Sequence, residues 1–276
     1  MTWWAVEVRA DAAERDAVAE WLVRRTGQAV EEQPDGRLIG YTTDESSSHQ
    51  VGRELQTTFV SIALGPPQAV DPVDWRTAWR AGLGPRTIGR LTILPTWCDR
   101  PAEAGVLVRI DPETAFGTGE HGSTRGALHL LDRHLVAGAT VLDLGAGSGI
   151  LAIAAAALGA RRAVGIENDG EAVPVAVRNA ELNGVSGAVS FLEGDAGLLA
   201  PLLGPADLIL SNILRDANTA LLPAIHQALA PEGLAIFSGM EVSEAPLFRA
   251  SLDQAGYQLV DEVEDTGWWS VAARPR

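Results

Sequence analysis

Three short stretches of this chain hold residue types that could do chemistry. One is Val141-Leu142-Asp143-Leu144-Gly145-Ala146-Gly147-Ser148-Gly149, with Glu167 closing another apolar run eighteen residues further on. An apolar run, a glycine turn, an alanine-rich stretch and a second apolar run ending in a carboxylate describe the ligand-binding end of a doubly wound α/β sheet. Glycines at 145, 147 and 149 allow positive φ and close approach of a ligand to the backbone. Glu167 is placed to accept hydrogen bonds from a ribose diol, as the acidic residue about 20 positions on does in dinucleotide folds. A dinucleotide fingerprint starting at Gly145 would need glycine at position 150, where Ile150 stands. No cation lies within the turn, which suits a ligand without phosphates.

The second stretch, Phe116-Gly117-Thr118-Gly119-Glu120-His121-Gly122-Ser123-Thr124, leads into a helix. Its glycines and hydroxyls predict a flexible loop and an N-cap, with Thr124 and backbone groups folded over the ligand. The third is Leu210-Ser211-Asn212-Ile213-Leu214 at the end of an apolar run. Strands of a parallel sheet present their carboxyl ends to the ligand crevice, so Asn212 is expected there. Each stretch also has a plainer reading, as a tight connection, a cap and a turn residue. Their order along the chain favours one shared site.

The surrounding pattern supplies the elements that would position them. Residues 1–65 read as strand (Trp3 to Val8), helix (Asp11 to Arg25), hairpin (Gln28 to Glu32 and Arg37 to Thr42), helix (Ser48 to Leu55) and strand (Thr57 to Leu64). That β-α-β-β-α-β order suggests a small ferredoxin-like domain. Gly65-Pro66-Pro67 punctuates the chain, and 66–100 reads as a bridging segment: a helix starting at Asp71-Pro72 with Trp75 and Trp79 on one face, then a strand from Ile88 to Leu94. From 101 to 276 strands and helices alternate, which implies a parallel sheet. The last two strand-like runs, Gln258 to Val263 and Trp268 to Ala272, form a hairpin that places one antiparallel strand in that sheet.

Composition excludes several classes. No run approaches the ~20 apolar residues of a membrane helix, and the amino terminus lacks the blocks of a signal peptide, so the cytoplasm is expected. A single cysteine, Cys98, rules out an intrachain disulfide framework and a cysteine metal cluster; no metal site is expected. The net charge of −15, carried mostly by residues 101–276, repels a phosphate backbone and makes nucleic acid a poor partner. All 21 cationic residues are arginine.

The pattern D-x-G-x-G-x-G from Asp143 to Gly149 resembles motif I of the S-adenosylmethionine-dependent methyltransferases. Taken with Gly117 to Thr124, Asn212-Ile213-Leu214, Asp74-Trp75…Trp79 and the upstream run Ile88-Gly89…Leu91…Ile93…Pro95…Trp97, the chain is similar to the bacterial methyltransferases of ribosomal large-subunit protein eleven. The likeness spans about residues 70 to 276, with the amino-terminal part agreeing in architecture more than in letters. It implies an α/β fold: a Rossmann-like seven-stranded methyltransferase sheet beside a smaller N-terminal ferredoxin-like α+β domain that captures the ribosomal protein. The larger domain would transfer methyl groups from S-adenosylmethionine to lysine side-chain amines and the N-terminal α-amine. Carried over by position, the cofactor contacts are Thr124, Gly145, Gly147, Glu167 and Asn212. Asn212 is also the expected catalytic residue, its carbonyl accepting an N–H of the amine so that the nitrogen lone pair faces the methyl group. His121 and Glu241 are two proton acceptors within reach of the motifs, each equally well read as structural. Arg215 replaces the family's usual small residue, and Met240-Glu241 departs from its Ser-Gly-Ile-Leu. Those departures keep two alternatives open: a different protein or small-amine acceptor, and a non-catalytic cofactor-binding assembly module.

Overall fold

The computed structural model describes residues 3–11, 14–28, 30–33, 35–70, 84–111 and 117–276. The expected helix at Asp71-Pro72, with Trp75 and Trp79, lies outside them, as does Phe116. The chain divides into two units, Met1–Gly82 and Leu83–Arg276.

In the first unit the elements run β1 (Trp3–Ala10), α1 (Arg15–Thr26), β2 (Glu31–Glu32), β3 (Arg37–Thr42), α2 (Glu45–Thr58), β4 (Ile62–Leu64) and β5 (Gln68–Val70). The antiparallel sheet has the order β2-β3-β1-β4. Alternation decides which face of β1 is covered: Val6 and Val8 are buried with Val18 and Leu22 of α1 and Val51 and Leu55 of α2. The Asp44 carboxylate caps α2 by accepting from Ser47 N at 2.8 Å. This helix continues through Thr58, so the strand expected from Thr57 begins only at Ile62. After Gly65-Pro66-Pro67 the chain stays in the same sheet, because β5 pairs with the Trp3–Ala5 end of β1.

The second unit starts with β6 (Arg86–Ile88), β7 (Leu91–Pro95) and β8 (Val106–Ile110), a three-stranded sheet. The single strand expected from Ile88 to Leu94 is therefore an antiparallel hairpin turning at Gly89-Arg90. Gly89 adopts φ +55°, and Asp132 holds the turn by accepting from Arg90 N at 3.2 Å and Arg90 Nε at 2.8 Å. Residues of the expected bridging segment are thus shared between the sheets of both units.

The remaining elements are α3 (Gly122–His134), β9 (Thr140–Leu144), α4 (Ile150–Ala157), β10 (Arg162–Glu167), α5 (Ala172–Leu182), β11 (Val189–Glu193), α6 (Ala196–Leu203), β12 (Ala206–Asn212), α7 (Arg215–Ala228), β13 (Leu229–Glu241), α8 (Ala245–Gln254), β14 (Tyr257–Asp265) and β15 (Trp268–Pro275). They build the expected seven-stranded sheet, ordered β11-β10-β9-β12-β13-β15-β14. Only β15 runs against its neighbours, as the terminal hairpin requires. Every residue of β9 is buried because helices cover both faces of the sheet. Val141 lies in one core with Leu128 and Leu131 of α3 and Ile153 of α4, whereas Leu142 and Leu144 lie in the other with Ile225 of α7 and Phe248 of α8.

Candidate active site

Pairing register brings the three motifs to one edge. Leu144 of β9 is opposite Ile166 of β10 and Ser211 of β12. The residues that follow, Gly145, Glu167 and Asn212, therefore leave three adjacent strands at the same level. The strand order reverses about β9, the switch point at which open α/β sheets bind ligands. A cavity of about 800 Å³ opens there, lined by Gly145, Gly147, Glu167, Asn212, His121 and Trp268 among others.

The glycine turn is built from positive-φ residues, with Gly145 at +75°, Gly147 at +52° and Gly149 at +81°. At Gly145 a side chain would also collide, since a Cβ would stand 2.5 Å from Ile213 Cγ2. Both Gly145 N and Ala146 N donate to Ile166 O, at 2.9 and 3.1 Å, which draws the turn against β10. Ser148 fixes the far side: its hydroxyl donates to Gly117 O at 2.7 Å, and its carbonyl accepts from Asn179 Nδ2 at 2.9 Å. The Asp143 carboxylate is fully enclosed and accepts one bond, from Ala152 N at 3.0 Å, at the start of α4. Its other oxygen has no partner, and burial, assisted by the nearby Glu167 charge, pushes its pKa up to about 7.

Glu167 is almost buried and is committed to the turn before any ligand enters. Oε2 accepts from Gly147 N at 2.8 Å; Oε1 accepts from Asn168 N at 2.8 Å and Asp169 N at 3.0 Å. A carboxylate offers about four lone-pair positions. With three occupied, the open one is on Oε2, so Glu167 can take one hydroxyl without releasing a backbone partner.

The loop before α3 is anchored on several sides. Glu120 receives Arg86 Nε at 3.0 and 2.9 Å, and Arg125 makes a bidentate pair with Asp265, both bonds 2.7 Å. The expected hydroxyl cap is absent: α3 begins at Gly122, the N-cap residue His121 makes no side-chain capping bond, and Ser123 and Thr124 lie inside the first turn. Instead Ser123 Oγ meets His121 Nδ1 at 2.7 Å, and the imidazole packs on Trp268 with ring centroids 4.2 Å apart. Burial and the adjacent Arg125 charge lower the His121 pKa, keeping the ring neutral near pH 7.

Asn212 ends β12 with its Nδ2 donating to Thr124 Oγ1 at 3.3 Å, while Oδ1 is buried with no partner. The turn after it is packed between two glycines, for a Cβ on Gly239 (φ +85°) would sit 2.3 Å from Ile213 O. Of the departures noted in the sequence, Arg215 pairs with Asp216 at 2.6 Å and reaches Glu244 at 3.8 Å. Glu241 caps the short 3-10 turn Val242–Glu244. Neither lines the cavity, whereas His121 does. Sequence reading passed over Asp195, which caps α6 by accepting from Gly197 N at 2.7 Å, and Trp268, both of which line it. Asp195 follows β11 by two residues, in the turn that the carboxyl-end rule places at the crevice; Trp268 enters only through the terminal hairpin.

A seven-stranded sheet of this order, with a three-glycine turn closing β9 at the switch point and a polar strand end beside it, defines a Rossmann-like methyltransferase. The family model described as ribosomal protein L11 methyltransferase (PrmA) matches residues 6–276. The chain is 39% identical over 264 residues to the ribosomal protein L11 methyltransferase of Pelotomaculum thermopropionicum, covering 92% of this chain and 83% of that protein. It is 40% identical over 205 residues to the protein of that name from Thermus thermophilus, covering 74% of this chain and 79% of that one. A crystal structure of ribosomal protein L11 methylase from Lactobacillus delbrueckii subsp. bulgaricus superposes with a TM-score of 0.64 at 32% identity, over 70% of this chain and all of that one. The chain belongs to the ribosomal protein L11 methyltransferase family.

Proposed function

We infer that this protein is an S-adenosylmethionine-dependent methyltransferase acting on amines of ribosomal protein L11. The observation that carries the site assignment is the buried, unpartnered Oδ1 of Asn212 beside Thr124, level with the glycine turn and Glu167. These groups suit the cofactor. Glu167 retains an open acceptor position for a ribose hydroxyl, Gly145 and Gly147 leave backbone exposed to a ligand, and Asn212 stands at the adjoining strand end, backed by the buried Thr124 of α3. Among the described residues the cavity lining holds no arginine but includes Glu167 and Asp195, a polarity suited to cationic ligands. When bound, the cofactor supplies a methyl group already activated on a sulfonium centre.

The chain's own residues then have a limited task. A lysine ammonium, with an ordinary pKa of ~10.4, must lose a proton before it can attack. The Asn212 carbonyl accepts one N–H of the neutral amine and directs its lone pair, which is the orientation effect on which a direct displacement depends. His121, held by Ser123 and Trp268 in the cavity wall, is the better placed of the two proton acceptors considered. The N-terminal unit serves to capture the ribosomal protein, and a ribosomal substrate assigns the enzyme to the cytoplasm. Among the described residues no helix is long and apolar enough to cross a membrane.

Incubation with methyl-labelled cofactor and total ribosomal proteins tests this assignment. Label is expected on L11, on lysine and α-amino nitrogens. Label confined to another protein or to small amines would reassign the acceptor; cofactor binding without transfer would indicate a non-catalytic module.

A further inference from the structure

Asn218, on α7, is completely buried and touches none of the residues assigned above through its side chain. All of its side-chain hydrogen bonds nevertheless go to the framework around Asn212. Nδ2 donates to Ile213 O and to Ser238 O, both at 2.9 Å, and Oδ1 accepts the hydroxyl of Ser211 at 2.7 Å. The orientation of the amide is fixed by its partners, because two carbonyls can only accept. Ser211 and Ile213 flank Asn212 directly, so one side chain holds both neighbours, Ile213 by its backbone carbonyl and Ser211 by its hydroxyl. The backbone adds a fourth tie, Asn218 N to Leu214 O at 2.9 Å.

Ser238 extends this grip to the other half of the pair. Its carbonyl is held by Asn218, and its hydroxyl donates to Ser123 O at 2.8 Å while meeting Ser270 Oγ at 2.7 Å. Ser123 immediately precedes Thr124. A continuous buried chain, Ser211–Asn218–Ser238–Ser123, thus joins the residue before Asn212 with the residue before Thr124. Such a network is costly to leave partly satisfied, which gives it a single arrangement. A surface asparagine on a helix would gain nothing from this geometry, and an apolar residue would pack the space without aligning the strand end.

We propose that Asn218 is a positioning residue for methyl transfer, fixing Asn212 against Thr124 through Ile213 and Ser238. This rests on the methyl-transfer function assigned above. Displacement of a reacting partner by about 1 Å can cost roughly 100-fold in rate. The isosteric change Asn218→Asp removes both N–H donors and is expected to lower kcat about 100-fold while changing the acceptor KM much less. In an Asn212→Ala background it should cost almost nothing more, since it acts through the missing amide. Multiplying losses in that cycle would mark Asn218 as merely structural and overturn the proposal. A second readout is independent of turnover: in ligand-free protein the side-chain amide NMR resonance of Asn212 should move in Asn218→Asp, and an unmoved resonance would also overturn it. Should Asn218→Asp not fold, Ser211→Ala removes one bond of the network and is put through the same cycle and the same spectrum, with the same two criteria. A wild-type enzyme that methylates no amine would defeat the functional assignment, while the amide spectrum would still decide the role of Asn218.

Discussion

Asn212 donates its side-chain N–H to Thr124 Oγ1 at 3.3 Å across 88 positions of sequence, leaving its own carbonyl oxygen buried and unpaired. A buried acceptor without a donor is disfavoured by about 1–3 kcal/mol, so the fold retains this one against its own stability. An amine N–H would satisfy it.

Asn212→Ala should therefore reduce kcat about 100-fold with L11 as acceptor, while the Kd for S-adenosylhomocysteine rises only severalfold. Steady-state kinetics and calorimetry on the same preparation check this. Equal losses in both would make Asn212 chiefly a cofactor contact.

Glu167→Ala leaves three backbone N–H groups without their acceptor and removes the ribose partner, so both cofactor affinity and thermal stability should fall. Hydrogen bonds to a charged group contribute about 1.5–3 kcal/mol, which puts the loss of affinity at about tenfold or more. The two effects separate with a cofactor analogue lacking ribose hydroxyls. Wild type should bind that analogue more weakly than the parent compound, whereas Glu167→Ala should bind the two alike. If the variant still discriminates, the ribose contact lies elsewhere.

Gly239→Ala should both destabilise the protein and suppress turnover, because its Cβ would stand 2.3 Å from Ile213 O in a backbone at φ +85°. Gly184→Ala is the matched control, with φ +67° and nothing within 4 Å of the added carbon. The control should lose about 1 kcal/mol from backbone strain alone, and Gly239→Ala about 1–3 kcal/mol beyond it. Urea unfolding measures both; equal losses would mean that the turn after Asn212 yields readily.

The Asp143 carboxyl makes the free protein sensitive to pH in an unusual direction. Its folded-state pKa, about 7, is above the ordinary value of 3.8, so the native state holds this proton more tightly than the unfolded chain. Its contribution is fully present below the unfolded value and is lost as pH rises through 7. Asp143→Asn removes that dependence. Relative to wild type, the variant should gain a few kcal/mol of stability between about pH 4 and pH 7 and hold the gain above. Melting curves at several pH values test it; parallel profiles would show that Asp143 ionises freely in the fold.

Much of the site was legible because parallel strands buried on both faces read as apolar runs, and such runs end where ligands bind. Val141 to Leu144, Arg162 to Glu167 and Ala206 to Asn212 all followed that rule, and register did the rest. Elements whose pattern is ambiguous were missed. Ala196 to Leu203 is apolar throughout and contains Pro201, so periodicity could not mark it as a helix. Val106 to Ile110 is a strand of only five residues, an apolar run too short for periodicity to assign. The hydroxyls of Ser123 and Thr124 suggested a cap, but the helix already begins at Gly122 and turns them inward. Asn218 gave no sequence signal, for a polar residue in a helix ordinarily faces water; its burial is decided by Ser211, Ile213 and Ser238, which come from two different strands.

The last hairpin closes one side of the site from far along the chain. Trp268 walls the cavity and Asp265 clamps Arg125, yet both are translated long after the glycine turn and Asn212. β15 also lies between β13 and β14. A chain lacking the hairpin would keep the glycine turn and Asn212 but lose the Trp268 wall and the Asp265 clamp, so this strand pair completes the enclosure of a site whose motifs all lie earlier in the sequence.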